Sequence, residues 1–266
     1  MRLPPAGDAP TEDRLLGGRV RLAQPATGYR VGIDAVLLAA AIPAVSGDKV
    51  LDVGTGAGAA ALCLAVRVAG VTVTGIDRDR ELVRLAADNA RATGVGDRVR
   101  FFAGDLRQPP MRLAPASFDH VMANPPFVAA GTGTEPPERG KAAATIEDGA
   151  RLDDWLRFCV MMAAAKGTVT LIHRADRLDA VLAAVAGRLG GVVVFPLWPG
   201  GEGRKAAKRV LVRAQKGSRA PLRLMPGLVL HAADGRFTAE AEAVLREAGA
   251  LRLAGTPDVD ARVVGP

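Results

Sequence analysis

Between residues 49 and 214, short β-type apolar runs alternate with helical ones, and that alternation leaves few ways for the chain to fold. Residues 49–53 (Lys49, Val50, Leu51, Asp52, Val53) read as a buried strand and residues 59–67 as a helix. A strand over 71–77 follows, then a helix over 81–93 whose Leu82, Leu85, Ala86 and Ala90 share one face. Strands at 99–102 and 118–123, a helix at 152–165, a strand at 167–172 and a helix at 176–189 continue the series. The last two strands, 192–197 and 210–214, have no helical pattern between them and are expected to pair as an antiparallel hairpin at the sheet edge. The whole predicts an α/β fold, a mostly parallel seven-stranded sheet with helices on both faces. Ahead of it, residues 34–41 read as a short helix that Asp34 caps and Pro43 stops. Residues 1–27, rich in Pro, Gly and Arg, read as an N-terminal arm, 28–217 as the main domain and 218–266 as a C-terminal appendage with a helix near 238–248. The polar segment 131–149 is either a mobile functional loop or disorder.

Composition narrows the class. Hydrophobic residues make up 49% of the 266 and charged ones 24%, the balance of a globular protein. No apolar run reaches the roughly 20 residues that a spanning helix needs. The N-terminus lacks the apolar core of a secretory signal, so a cytoplasmic protein is expected. Cys63 and Cys159 lie far apart with no metal-ligand spacing, which predicts two buried small side chains and no metal site. Lys and Arg number 35 against 28 Asp and Glu, a net charge of +7. A basic surface favours a polyanionic partner.

The first chemical signal is Asp52-Val53-Gly54-Thr55-Gly56-Ala57-Gly58, between a strand and a helix. Glycines there permit a tight turn and close approach of a ligand to the backbone, and the helix start offers unpaired N–H groups. The spacing also satisfies a dinucleotide pattern through Ala59, so the glycines alone leave a nicotinamide cofactor and S-adenosylmethionine both open. Asp52 favours the second: an acid beside the turn can hold a cationic amino-acid portion and would repel a pyrophosphate. Asp77, ending the second strand, is placed to accept from both ribose hydroxyls. Asp105, ending the third, can accept from an adenine amine.

The second signal is Asn124-Pro125-Pro126-Phe127, at the end of the fourth strand. An amine on an aromatic ring is a poor nucleophile because its lone pair is delocalised. Two acceptors, the Asn124 side-chain oxygen and the Pro125 carbonyl, can grip both N–H groups and favour a pyramidal nitrogen. Pro126 restrains the residue before it and so aims that carbonyl. Phe127 offers a face on which a base can stack. Methyl transfer then depends on positioning, with no metal and no base of unusual pKa.

These motifs resemble the class I S-adenosylmethionine-dependent methyltransferases that modify exocyclic amines, which have a Rossmann-like fold. The chain is most similar to the tRNA1(Val) adenine-N6-methyltransferase family, over about residues 15–215. Residues 24–38 are similar to that family's lead-in. The resemblance implies S-adenosylmethionine as cofactor, held by Tyr29, Arg30, Gly32 and Asp34 of the lead-in, by Asp52, Gly54, Thr55, Gly56 and Gly58, by Asp77 and Arg78, by Asp105 and Leu106, and by Asn124. It implies Asn124, Pro125, Pro126 and Phe127 as the catalytic set. It also implies an RNA substrate, with tRNA the first choice. Guanine-N2 methylation of ribosomal RNA and N5 methylation of protein glutamine remain alternatives.

A basic run completes the reading. From Gly200 to Met225 there are eight Lys and Arg against Glu202, an excess of +7 that equals the whole chain's. Arg204, Lys205, Lys208, Arg209, Arg213 and Lys216 are the expected RNA contacts, and such contacts make binding steeply salt-dependent. His173 reads as a strand-end histidine rather than a catalytic one.

Overall fold

A computed structural model describes residues 10–26, 30–126, 128–129, 146–147, 150–201 and 205–253, the two short pieces by their backbone. The chain opens with an antiparallel hairpin, β1 (Thr11–Leu15) and β2 (Val20–Gln24), where the sequence predicts an arm. Helix α1 (Ile33–Ala41) leads into the alternating part: β3 (Lys49–Val53), α2 (Ala59–Arg67), β4 (Thr72–Asp77), α3 (Arg80–Thr93), β5 (Val99–Ala103) and β6 (Phe118–Ala123). A two-residue parallel pair, β7 (Val128–Ala129) and β8 (Ile146–Glu147), flanks the segment whose character the sequence leaves open. The rest of that segment, and Tyr29, Phe127 and Arg204, lie outside the described residues. Then come α4 (Leu152–Met162), β9 (Ala163–Arg174), α5 (Leu178–Val185), β10 (Gly190–Gly200), β11 (Arg209–Gln215), β12 (Arg223–Leu224), β13 (Leu228–His231) and α6 (Ala239–Arg246).

The sheet has nine strands among the described residues, in the order β12-β10-β11-β9-β6-β3-β4-β5, with β13 also on β10. Strands β9, β6, β3, β4 and β5 run parallel, and β11 and β10 form the expected antiparallel hairpin. Two strands beyond the predicted seven come from the C-terminal segment. Residues 223–231 pair with the outer edge of β10, and the Leu251 N–H donates to Ala40 O on α1 at 2.8 Å. That segment is therefore stitched to the sheet rather than hung from it. Strands of two and four residues leave no periodicity to read.

Chain order explains where a ligand fits. The sheet grows from β3 outward through β4 and β5, then returns to add β6 on the other side of β3. A doubly wound sheet opens its binding crevice at such a reversal, at the carboxyl ends of the strands. Side chains alternate across the sheet with period two. Val50 and Met122 join the core under α1 and α2, while Leu51, Val53 and Val121 join the one under α4 and α5. Helix α3 is set by local signals: Asp79 caps it, accepting from the N–H groups of Glu81 (2.8 Å) and Leu82 (3.2 Å), and Gly94 ends it in a left-handed conformation. Helix α1 differs from expectation. Its N-cap is Gly32, and Asp34 sits in the first turn with its carboxylate turned to Arg209. No described helix is long and apolar enough to cross a membrane.

Candidate active site

The glycine turn follows β3 as the sequence predicts. Gly54, Gly56 and Gly58 have φ of 69°, 55° and 90°, a region side chains rarely adopt. The N–H groups of Gly54 and Thr55 both donate to Ile76 O, at 2.8 and 3.0 Å, and pin the turn to β4. At Gly54 there is a second constraint: a Cβ would lie 2.4 Å from Cη2 of Trp155. Helix α2 begins straight after Gly58 without a side-chain cap.

Three acids end three successive strands, and their environments differ. Asp52, on β3, is 2% exposed and accepts from the Thr55 hydroxyl at 2.6 Å. Burial pushes its carboxyl up to about 7, outweighing that hydrogen bond. Asp77, on β4, accepts from the N–H of Gly56 at 2.8 Å and of Asp79 at 3.0 Å. Burial raises it as well, against those two bonds. Asp105, past β5, is bound by Arg107, whose backbone N–H donates at 2.8 Å and whose guanidinium donates at 2.9 Å. Those contacts hold Asp105 below the usual carboxylate range. An adenine amine reaching Asp105 would therefore share the carboxylate with an arginine.

Asn124 directly follows β6, and its side-chain Oδ1 is buried with no hydrogen-bond partner among the described residues. An unmet buried acceptor is unusual in a folded protein. It borders a cleft of about 760 Å³ that also takes in Asp52, Gly54, Asp77, Asp105 and Trp155. Pro125, Pro126, Thr55, Gly56, Arg78 and Leu106 line it too. The cleft thus brings together most of the expected cofactor and catalytic residues.

The lead-in behaves differently. Val31 and Ala35 border the cleft, whereas Arg30, Gly32 and Asp34 do not. Arg30 is drawn to Asp13 and to the Thr11 hydroxyl, and Asp34 accepts from Arg209 Nε at 2.8 Å. Sequence reasoning missed Trp155 and Asn89. Trp155 looks like one more apolar residue on the buried face of α4. Asn89, 2% exposed, accepts from the N–H of Ala23 at 2.8 Å and donates to Ala23 O at 2.9 Å and to Ala57 O at 3.0 Å. It ties the N-terminal hairpin to the glycine turn, a contact no linear pattern reveals.

The basic run divides between the two ends of the sheet. Arg209 pairs with Arg174 at the end of β9, so Lys205 and Lys208 lie on the cleft side. Gln215 pairs with Thr168 and Val193 with Arg223, so Lys216, Arg219 and Arg223 lie on the far side. Lys216 is not placed for RNA: its Nζ donates to Val160 O and Ala163 O, both at 2.8 Å, and closes the end of α4. Arg213 is half-buried on β11, and Arg209 is engaged by Asp34. His173 is fully buried on β9, where burial pushes its imidazole down to about 4.

Comparison with known proteins decides the family. The methyltransferase small domain model matches residues 29–136. A tRNA1(Val) (adenine(37)-N6)-methyltransferase of Aeromonas hydrophila is 30% identical over 211 residues, 79% of this chain and 85% of that protein. The chain belongs to this family of class I S-adenosylmethionine-dependent methyltransferases. A like-named relative from Erwinia tasmaniensis is 31% identical over 59% of the chain and 67% of its own length. Among solved structures, a predicted O-methyltransferase of Agrobacterium tumefaciens superposes on the methyltransferase with a TM-score of 0.69 at 25% identity, covering 82% of this chain and 98% of that one. The tRNA methyltransferase TrmI of Aquifex aeolicus shares the fold, with a TM-score of 0.53 at 17% identity over 73% and 72% of the two chains. The enzyme's cofactor is S-adenosylmethionine, and the cleft fits it. Three of the five turn residues are glycines, the acid behind it has no cation among the described residues, and Asn124, which lines the cleft, carries an unpartnered acceptor.

Proposed function

We propose that this enzyme methylates the exocyclic N6 amine of an adenine in RNA, and that the RNA is a tRNA. The observation that carries the reading is the buried, partnerless Oδ1 of Asn124 in the cofactor cleft. S-adenosylmethionine supplies a methyl group already activated for attack by a nitrogen lone pair. The protein's share is to hold the cofactor and to prepare the amine. Asp52 stands where a positively charged amino group completes it, and Asp77 where ribose hydroxyls do. Asn124 Oδ1 accepts one N–H of the amine and the Pro125 carbonyl accepts the other, which returns the lone pair to nitrogen. Because the base must reach this depth, it has to leave its stack, at a cost of a few kcal/mol that a loop nucleotide lessens. Lys205 and Lys208, exposed beside the cleft, meet phosphates. The names of the curated relatives support adenine over guanine and glutamine.

The test is Asn124→Ala assayed with labelled S-adenosylmethionine and unmodified tRNA, followed by nucleoside analysis. Wild-type enzyme should yield N6-methyladenosine. The variant should lose about a hundredfold or more in kcat while still binding the cofactor, as expected for a group that acts on the reacting atoms. N2-methylguanosine as product, or an Asn124→Ala enzyme with full activity, would refute the reading.

A further inference from the structure

A second residue that lines the cleft carries a buried polar atom with no partner among the described residues. Trp155 is 8% exposed, and its indole Nε1 is buried without a hydrogen bond. Buried tryptophans normally place this N–H on an acceptor. The ring's orientation follows from its contact with the glycine turn: the Gly54 Cβ position is 2.4 Å from Cη2, 2.8 Å from Cζ3 and 3.6 Å from Cζ2. Those atoms form the outer edge of the six-membered ring. The five-membered edge that carries Nε1 therefore faces away from the cofactor turn. Trp155 nevertheless lines the same cleft as Asn124, Pro125 and Pro126.

Two residues that line the cleft thus carry one unmet acceptor, Asn124 Oδ1, and one unmet donor, Trp155 Nε1. An adenine offers the complement. Its amine donates, and the ring nitrogens that flank the amine, N1 on one edge and N7 on the other, accept. Guanine's amine has a ring N–H on its Watson–Crick side, where an indole N–H would meet donor with donor. We propose that Trp155 is a specificity-determining residue whose indole N–H donates to a ring nitrogen flanking the target amine. The inference rests on the adenine reading above. It assigns to α4 a direct contact with substrate, in addition to its packing against Gly54. Through one side chain the enzyme then both shapes the cofactor turn and reads the base.

The experiment compares wild type with Trp155→Phe, and with benzothienylalanine at position 155, which keeps the bicyclic shape and lacks the N–H. Substrates are tRNA1(Val) carrying adenosine, 1-deazaadenosine or 7-deazaadenosine at the methylated position. The benzothienylalanine enzyme, which keeps the ring edge against Gly54, should bind S-adenosylmethionine as wild type does, and both altered enzymes should lose about tenfold or more in kcat/KM on adenosine, the scale of one buried hydrogen bond. Wild type should lose a similar factor on one of the two deaza bases, and the altered enzymes should lose nothing more on that base. That non-additivity is what a merely structural tryptophan would not produce. Equal deaza penalties in all three enzymes, a wild type indifferent to both deaza bases, or a loss confined to cofactor affinity would each overturn the assignment. Should wild type form no N6-methyladenosine on the unaltered tRNA, the proposed function itself fails, a result separate from any variant's behaviour.

Discussion

The two ends of the central sheet are made by the same strands, yet the polar groups singled out at each are finished differently. At the far end His120, Asp119 and Lys216 all have protein partners. His120 bonds to the Thr168 hydroxyl at 2.8 Å and to Asp48 at 3.2 Å, Asp119 accepts from the Lys49 N–H at 2.8 Å, and Lys216 closes α4. At the cleft end Asn124 Oδ1 and Trp155 Nε1 have none among the described residues, and Asp52 holds only a hydroxyl and a backbone N–H while burial disfavours its charge. Leaving a buried polar group unmet costs about 1–3 kcal/mol. A cleft whose lining residues carry an unmet acceptor, an unmet donor and a buried acid leaves those groups for a ligand to complete.

Asp52 is the strongest lever on this contrast. Its carboxyl goes from 3.8 to about 7 in the folded chain. A raised folded pKa means the native state binds the extra proton, so the associated stability is present below about 3.8 and is lost as pH climbs through about 7. Its upper bound is about 4 kcal/mol, from the size of the shift. Thermal melting of the cofactor-free enzyme across that window should show wild type losing stability relative to Asp52→Asn as pH rises. A pH-independent difference between the two would mean the acid is not buried as described. The same variant should bind S-adenosylmethionine about a hundredfold more weakly by calorimetry, because the site then lacks its anion.

The divided basic run sharpens the comparison next. Lys205→Glu with Lys208→Glu, on the cleft side, should weaken tRNA binding by about tenfold or more and flatten its salt dependence. Arg219→Glu with Arg223→Glu, on the far side, should change affinity little. Equal effects in filter binding would show that RNA does not distinguish the two ends. The smallest effect is expected at Lys216→Met, which strips two carbonyls of their donor. About 1–2 kcal/mol of stability should go in denaturant titration, with kcat per folded molecule unchanged.

What was legible in the sequence follows from the range of the interactions. The glycine turn and the Asn124 motif encode backbone geometry within a few residues, so their chemistry can be read without a fold. The parallel order could be read too, since the alternation of strand and helix carries it. Three features could not. Trp155 reads as core because a side chain that fills a helix face and one that borders a cleft obey the same spacing. The charges between Gly200 and Met225 appear as one patch in a linear count, yet β11 carries Lys216, Arg219 and Arg223 to the other end of the sheet. The hairpin at Thr11–Gln24 and the strands at 223–231 are held by partners distant in the chain, Asn89 and β10, and local propensity says nothing of either.

The carboxamide of Asn89 gives the N-terminal hairpin a reach beyond its own contacts. One side chain grips Ala23 by both its backbone groups and Ala57 by its carbonyl. The hairpin and the loop that receives the methyl donor are thereby fastened to each other by a single amide, so the floor of the cleft includes a segment from the start of the chain.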